Sequence, residues 1–288
     1  MGNTSESEVV PIHESSFFKN NSGASLPLPS DIRAINKQVG THKALDYYSP
    51  SPVKISKLGL LVKYGADVRY AEYEAQLKVY QQLQGRVRVP ELYGWAQDGQ
   101  QGFIYMALIE GQTMEERWKK LSEKERKNIF LELRGMINAW RALPQPGHEP
   151  YIGGVGKQPL NDVTIKYKKG PFTGTSAIAD FERACKLSPI EGGSPITFTH
   201  GDLVACNILL AAGPNPKVAA VIDWGQAGWY PAYWEYCKAM TVGLPTDVHM
   251  SKEDESQWRE KYVPLMLGPV DEETCFVPYL MWLNSWGL

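Results

Sequence analysis

Four polar side chains that could carry chemistry lie close together in the second half of the chain. His200, Asp202 and Asn207 fall within the short segment THGDLVACN, and Asp223 follows the next apolar run. Proteins usually hold Mg²⁺ through one or two carboxylates together with the phosphates of a substrate. If Asn207 and Asp223 bind the cation, Asp202 can accept a proton from an attacking hydroxyl. We count His200 among the catalytic residues, but we expect it to stabilise the loop of this segment through hydrogen bonds rather than to act as a base.

The elements around these residues should bring them together. Residues 208–210 and 218–222 are short apolar runs rich in β-branched or small residues, and Pro214-Asn215-Pro216 between them is a turn signal. This pattern predicts a β-hairpin. Because the two ends of a hairpin are adjacent, Asp202 and Asn207 should lie beside Asp223.

The spacing of these residues has a known counterpart. H-x-D-x-x-x-x-N followed by D-x-G is the catalytic pattern of kinases, but here Gly201 stands where protein kinases have Arg, and the later motif is Asp223-Trp224-Gly225. This variant resembles the aminoglycoside-phosphotransferase and choline-kinase-like small-molecule kinases. The stretch VIDWGQAGWYPAYWEYCKA is most similar to the fungal-type branch of that family, and the similarity covers roughly residues 50–245.

The resemblance implies an α+β fold of the bilobal protein-kinase-like type. We expect a mobile N-terminal leader over residues 1–30, because this stretch is polar, rich in Ser, Asn and Pro, and lacks periodicity. An N-lobe with an antiparallel sheet plus a helix should follow over residues 31–108. A mostly helical C-lobe over residues 109–288 should carry the catalytic loop, the metal site and the acceptor site.

In the N-lobe, Lys63 ends the apolar run LGLLVKYG, and the resemblance makes it the lysine that binds the α- and β-phosphates. Taken alone, it could equally be an edge-strand lysine whose ammonium reaches solvent. Helical spacing over residues 69–83 offers Glu72 and Glu74 as partners, and two residues apart on a helix only one of them can face the cleft. The family pattern favours Glu74.

Other nucleotide contacts follow from the resemblance. The chain has no G-x-G-x-x-G, and the covering turn is expected at YSPSP, where Ser49 and Ser51 can bind phosphate although each Pro removes a donor. Adenine would be read by backbone groups near Ala107 and Ile109. Met106 occupies the gatekeeper position, where it could equally be an ordinary core residue.

Composition limits the other classes of function. The chain has 288 residues, 43% of them hydrophobic, and a net charge of −2, so no basic field indicates nucleic acid as a partner. No apolar run has bilayer length and no secretory leader is evident, so we expect no membrane partner. The four cysteines are widely spaced, as is typical of reduced thiols in a cytoplasmic protein. We expect a monomer or a weak dimer.

The sequence therefore predicts a small-molecule kinase that transfers the γ-phosphoryl group of ATP, or of GTP, to a hydroxyl of an aminoglycoside-, amino-alcohol- or sugar-like acceptor, with Mg²⁺ as cofactor. Acidic runs at residues 253–255 and 271–273, with Asp180 and Glu182, could line a pocket for a cationic acceptor or simply be solvated turns and helix faces. Two alternatives stay open: a nucleotide-binding scaffold without turnover, and a protein kinase. The second is disfavoured because no A-P-E segment follows the DWG motif.

Overall fold

The computed structural model describes residues 8–21, 23–40, 43–166, 169–187, 190, 193–241 and 250–286. The chain forms two compact units: residues 1–80 and 89–109 make the first, and residues 81–88 and 110–288 make the second.

The first unit is an antiparallel sheet with helices. Its strands are β1 (Val10–Pro11), β2 (Val53–Ile55), β3 (Leu60–Gly65), β4 (Leu92–Asp98) and β5 (Gln101–Ala107), and its helices are α1 (Ser16–Asn20), α2 (Pro29–Val39) and α3 (Tyr70–Gln82). The strand order is β1-β4-β5-β3-β2. β2 and β3 form an antiparallel pair, with Val53 opposite Val62.

The two faces of this sheet follow from the period-two alternation of β-strands. Val62 and Tyr64 are buried in one core. Leu61 points the other way and packs against the second core, which includes Tyr73 of α3. Lys63 alternates with Val62 and Tyr64, and it therefore lies on the face that α3 covers.

The prediction of a mobile leader over residues 1–30 is wrong for the part of that segment that the structure describes. β1 pairs with β4, and Phe17 and Leu26 are buried in the first unit's core. The Ser16 backbone N–H also donates to Glu91 Oε1 at 2.9 Å. Isolated apolar residues in a polar stretch give no periodic signal, although each one can be buried. Residues 1–7 and residue 22 of the same stretch lie outside the described residues.

The second unit is mainly helical, with small sheets. Its strands are β6 (Gln112–Thr113), β7 (Tyr151–Gly154), β8 (Phe172–Thr173), β9 (Ile196–Thr199), β10 (Ile208–Leu210), β11 (Val218–Val221) and β12 (Gly228–Pro231). Its α-helices are α4 (Met114–Arg117), α5 (Glu123–Arg141), α6 (Ala177–Ala184), α7 (Trp234–Thr241), α8 (Lys252–Gln257), α9 (Val263–Leu267) and α10 (Val277–Trp286), and π-helical turns span Trp258–Tyr262 and Glu272–Phe276. No helix in the described ranges is both long enough and apolar enough to cross a membrane.

Side-chain caps begin two helices of the second unit. Ser122 caps α5 by accepting the backbone N–H of Glu125, and the Glu125 side chain reaches back to the Ser122 N–H. This reciprocal arrangement is a capping box, for which the S-x-x-E spacing of these two residues is the sequence signature. Thr113 caps α4 in the same way.

Residues 81–88 lie in the second unit rather than in the N-lobe range of 31–108. The reason is a set of contacts made by Arg88. Its guanidinium donates to the Val218 carbonyl at 3.0 Å and pairs with Glu132 at 2.5 Å, while its own carbonyl accepts the Val221 N–H.

Candidate active site

Two loops of the second unit carry the predicted catalytic residues. The first loop joins β9 to β10 and contains His200, Asp202 and Asn207; the second joins β11 to β12 and contains Asp223. β10 pairs with β11, as the sequence predicts, and β9 pairs with β12. The Ile222 N–H donates to the Asn207 carbonyl at 2.9 Å, which ties the two loops together.

His200 is fully buried and both ring nitrogens are engaged. Nε2 lies 3.0 Å from the Ile222 carbonyl, and Nδ1 accepts the backbone N–H of Asp202 at 3.2 Å. This pattern requires the neutral tautomer that carries its proton on Nε2. Burial lowers the pKa of His200, which also favours the neutral ring. A ring held in this way can brace the loop, and it has no nitrogen left to act as a base.

The Asp202 side chain is oriented by Asn207. The Nδ2 amide of Asn207 donates to the Asp202 carbonyl at 2.9 Å and to carboxylate Oδ2 at 3.1 Å. Burial raises the pKa of Asp202, the positive charge of Lys238 opposes that rise, and the negative charge of Asp223 adds to it. A carboxylate with a raised pKa is a stronger base.

The donor set around Asn207 and Asp223 fits a hard cation. The Asn207 amide nitrogen faces Asp202, so its Oδ1 is turned away from that carboxylate; a weak contact from Cys206 Sγ lies 3.8 Å from this oxygen. Asp223 has φ 64° and ψ 65°, a left-handed conformation that turns the chain sharply after β11. Within the described residues, no group of three or more His, Cys, Asp or Glu side chains converges as a metal site. A cation here would therefore take one amide, one carboxylate and oxygens from a substrate.

The glycine of the HGD motif has a steric cause. Gly201 has φ +80°, and a Cβ built on it would lie 2.5 Å from the backbone oxygen of Gln226. Any other residue would combine a strained backbone with a clash. Gly201 therefore lets the two catalytic loops approach each other closely.

A buried charged cluster behind the two loops was not predicted from the sequence. It contains Asp162, Glu235 and Lys238, which are at most 2% exposed. Lys238 Nζ lies 2.9 Å from Asp162 Oδ1 and 2.6 Å from Gln226 Oε1. Burial alone would raise the pKa of Asp162, but Lys238 and several hydrogen bonds hold it below its usual value. Asp162 and Lys238 are far apart in sequence, and the local signal is a pair of charged residues, Glu235 and Lys238, among the apolar and aromatic residues of the helix segment WEYCKAM.

In the first unit, Lys63 is paired with Glu72 and not with Glu74. The Nζ–Oε1 distance is 2.6 Å, and the Glu72 side chain is only 4% exposed. The prediction of Glu74 is therefore wrong. α3 buries Glu72, Tyr73 and Gln76 against the sheet, and a residue two positions beyond Glu72 points about 200° away from it around the helix.

The covering turn is held by its own side chains. The backbone N–H groups of Tyr48 and Ser49 both donate to Asp46 Oδ1, at 2.9 and 3.0 Å. The Ser51 carbonyl accepts Asn36 Nδ2 at 3.0 Å. The Ser49 N–H is therefore already engaged within the turn, and phosphate binding by Ser49 and Ser51 stays a prediction.

The strand end that is predicted to read adenine makes contacts within the first unit. Met106 is buried in the core beside α3, where Gln76 Nε2 lies 3.9 Å from its sulfur. The Ala107 N–H donates to the Glu91 carbonyl at 2.8 Å, so it is not the donor that reads a base. The contact predicted for Ile109 stays a prediction.

The acidic runs act largely as local caps. Asp254 accepts from Ser251 and from Trp118 Nε1, and Asp271 accepts the backbone N–H of Thr274. Asp180 bonds to Ser176 and Arg183. These contacts favour the interpretation as turns and helix ends over that of a pocket for a cationic acceptor.

Comparison with known proteins bears on the family and the fold of this chain. The sequence profile described as "Phosphotransferase enzyme family" matches residues 59–262. The structure of aminoglycoside phosphotransferase APH(4)-Ia is similar over 78% of this chain and 76% of that one, with a TM-score of 0.50 and 12% identity. A thermostable mutant of that enzyme in its apo form is similar over 81% and 80%, with a TM-score of 0.50 and 14% identity.

A third similar structure is aminoglycoside phosphotransferase APH(3'')-Id from Streptomyces rimosus in complex with ADP and streptomycin. The similarity extends over 90% of this chain and 98% of that one, with 15% sequence identity and a TM-score of 0.48. No match was found among curated protein sequences. The two APH(4)-Ia structures show the kinase-like α+β fold, and the family profile spans well over half of the sequence. The chain belongs to the phosphotransferase enzyme family.

Proposed function

We propose that this chain transfers the γ-phosphoryl group of ATP or GTP to a hydroxyl of a small molecule. The observation that carries the proposal is the oriented carboxylate of Asp202, whose Oδ2 accepts from Asn207 Nδ2 at 3.1 Å in a loop tied to the Asp223 segment. Membership of a phosphotransferase family and the kinase-like fold support it.

The residues have distinct roles in this reaction. Lys63, aimed by Glu72, binds the α- and β-phosphates. Asp202 orients the acceptor hydroxyl and takes its proton as the acceptor oxygen bonds to the γ-phosphorus. The bond from that phosphorus to the β–γ bridging oxygen breaks, and the nucleoside diphosphate leaves.

Asn207 and Asp223 would hold Mg²⁺, because their oxygens are hard ligands and Asn207 presents its amide nitrogen to Asp202 rather than to the cation. The ion, when bound, would neutralise negative charge on the β- and γ-phosphate oxygens. His200 keeps the loop in place as a neutral ring that donates to the Ile222 carbonyl.

The test is nucleotide binding followed by turnover. We expect Mg-ATP or Mg-GTP to raise the thermal stability of the wild type, since a ligand at a hundredfold excess over Kd stabilises by about 2.7 kcal/mol. Asp223→Ala should lose the Mg²⁺-dependent part of this shift. Asp202→Ala should keep it but lower turnover on the order of 10²- to 10⁴-fold. Acceptors to screen include aminoglycosides, amino alcohols and sugars.

One observation favours the scaffold alternative. The covering turn offers few backbone donors, because the Ser49 N–H is already bonded to Asp46 and two prolines flank Ser51. Metal-dependent hydrolysis of ATP without an acceptor separates the two functions. A chain that binds Mg-nucleotide but shows neither hydrolysis nor transfer to any acceptor in the panel would be a scaffold.

A further inference from the structure

One face of α2 carries a buried amide and a guanidinium group. Asn36 is only 2% exposed, and Arg33 lies three residues before it, so the two side chains project from the same side of the helix. Burying an amide costs free energy unless its polar atoms are hydrogen-bonded. Both side chains have such partners, and those partners lead to the predicted covering turn, residues 48–52.

Asn36 holds the end of the covering turn. Its Nδ2 donates to the Ser51 carbonyl at 3.0 Å and to the Tyr64 hydroxyl at 2.7 Å. Tyr64 follows Lys63 in β3, and its ring stacks on Phe103 with the centroids 5.1 Å apart. A single buried amide thus connects the turn to the strand that carries Lys63.

Arg33 holds the start of the covering turn through Gln101. The guanidinium Nη1 donates to Gln101 Oε1 at 3.2 Å, and Gln101 Nε2 donates to the Tyr47 carbonyl at 2.8 Å. Gln101 is 6% exposed. Arg33 also forms an ion pair with Asp98, which fixes the guanidinium on β4 and β5.

The end of β3 closes against the same turn. The Ala66 N–H donates to the Tyr47 carbonyl at 3.2 Å, and the Asp67 N–H donates to the Tyr48 carbonyl at 3.0 Å. Gly65 has φ +140°, and a Cβ built on it would lie 2.2 Å from the Tyr48 carbonyl oxygen. A side chain at this position would therefore push the turn away from β3.

We propose that Arg33 and Asn36 are positioning residues, through which α2 holds both ends of the covering turn in a preformed place beside the Lys63 strand. The inference rests on the phosphoryl transfer proposed above, in which this turn binds nucleotide phosphate. Pro50 and Pro52 have no N–H and little freedom in φ, so the turn cannot rearrange around a phosphate as a glycine-rich loop can. A site that is ordered before it binds loses less conformational entropy on binding, and this is the gain that α2 provides.

These anchors predict a binding defect that is specific for phosphate. Asn36→Leu removes the donor to the Ser51 carbonyl, and Gln101→Met removes the donor to the Tyr47 carbonyl. Each variant should raise Kd for Mg-ADP by about 10-fold, because the turn must then be ordered on binding, and change Kd for adenosine by less than about threefold, because adenosine has no phosphate. Isothermal titration calorimetry gives Kd for Mg-ADP, and adenosine is measured as its competitor.

A matched control and a direct measurement on the turn distinguish positioning from general damage. Asn21→Leu makes the same substitution in the same unit, but Asn21 Nδ2 donates to the Phe17 carbonyl at the end of α1. This variant should lower thermal stability and leave both dissociation constants as in the wild type. Hydrogen exchange followed by NMR should show that the Ala66 and Asp67 N–H groups of the wild type exchange slowly without nucleotide and change little when Mg-ADP binds.

Three results would overturn the inference. In the first, Asn36→Leu and Gln101→Met leave both dissociation constants unchanged or raise them by the same factor, so that the anchors only stabilise the fold. In the second, the Ala66 and Asp67 N–H groups exchange rapidly in the wild type and become protected only with Mg-ADP, so that the turn is not preformed. In the third, the wild type does not bind Mg-ADP, which refutes the proposed function as well; the first two leave that function standing.

Discussion

The pairing of Lys63 with Glu72 rather than Glu74 can be tested directly with two matched substitutions. Glu72→Gln and Glu74→Gln each remove one negative charge from α3 while keeping the size of the side chain. The two positions differ in their contacts: Glu72 Oε1 lies 2.6 Å from Lys63 Nζ and is almost fully buried, whereas Glu74 is partly buried, which raises the pKa of its carboxyl.

The size of the effect follows from burial. Removing one partner of a fully buried ion pair costs about 3–5 kcal/mol. The Lys63 side chain is 25% exposed, so water recovers part of that cost, and glutamine still offers Lys63 a neutral acceptor. We therefore expect Glu72→Gln to lower the free energy of unfolding by about 1–2 kcal/mol and Glu74→Gln to change it by less than about 0.5 kcal/mol.

The same variants should separate in function. Without its carboxylate partner, Lys63 is no longer aimed at one position, and we expect kcat/KM for the nucleotide to fall by about 10- to 100-fold in Glu72→Gln. Urea denaturation gives the stabilities, and a coupled assay of nucleoside diphosphate release gives the rates. A larger loss of either quantity in Glu74→Gln would refute this reasoning and restore the pairing that the family pattern favours.

Three further predictions concern the catalytic loop. Gly201→Ala should destabilise the fold by more than about 1 kcal/mol, measured by urea denaturation, because φ is +80° and the new Cβ would meet the Gln226 oxygen at 2.5 Å. Burial holds the pKa of His200 below its usual value of 6.5, so as the pH falls the unfolded chain takes up this proton before the folded chain does. The free energy of unfolding should therefore keep its full His200 contribution above about pH 6.5 and fall by up to about 1.4 kcal/mol per pH unit below it. The variant His200→Asn should lack this pH-dependent contribution. Burial raises the pKa of the Cys206 thiol to about 12, so at pH 8 the folded chain should react with iodoacetamide at Cys206 far more slowly than the unfolded chain.

Each of these outcomes has a clear opposite. Wild-type stability for Gly201→Ala would mean that the loops can separate at no cost. An identical decline of stability with falling pH in wild type and His200→Asn would assign that decline to other groups. Rapid labelling of Cys206 in the folded chain, located by mass spectrometry, would contradict the buried thiol.

Sequence patterns predicted features whose causes lie within a few residues. The β10–β11 hairpin and the caps of α4 and α5 are set by adjacent turn residues and by one side chain bonding to a nearby N–H. The family motif also singled out Asp202, Asn207 and Asp223, and the structure places them in two loops that a backbone hydrogen bond joins.

The features that could not be predicted depend on how a helix is rotated over the sheet, or on contacts between residues that are far apart in sequence. Whether Glu72 or Glu74 meets Lys63 depends on how α3 is rotated about its axis over the sheet. The spacing of residues in a single sequence does not give that rotation. The ion pair of Asp162 with Lys238 joins segments 76 residues apart. The burial of Phe17 depends on a single apolar residue meeting a distant core.

The pairing of β9 with β12 and of β10 with β11 also bears on how the site forms during folding. Ile196 faces Pro231 in one antiparallel pair and Leu210 faces Val218 in the other, so each of the two predicted catalytic loops runs between the same two strand pairs, which lie in separate sheets. Closing short loops costs little chain entropy, and such local pairings form quickly. The relative placement of the two loops is thus decided within one short stretch of chain, and insertions in the β10–β11 connection, residues 211–217, should leave it unchanged.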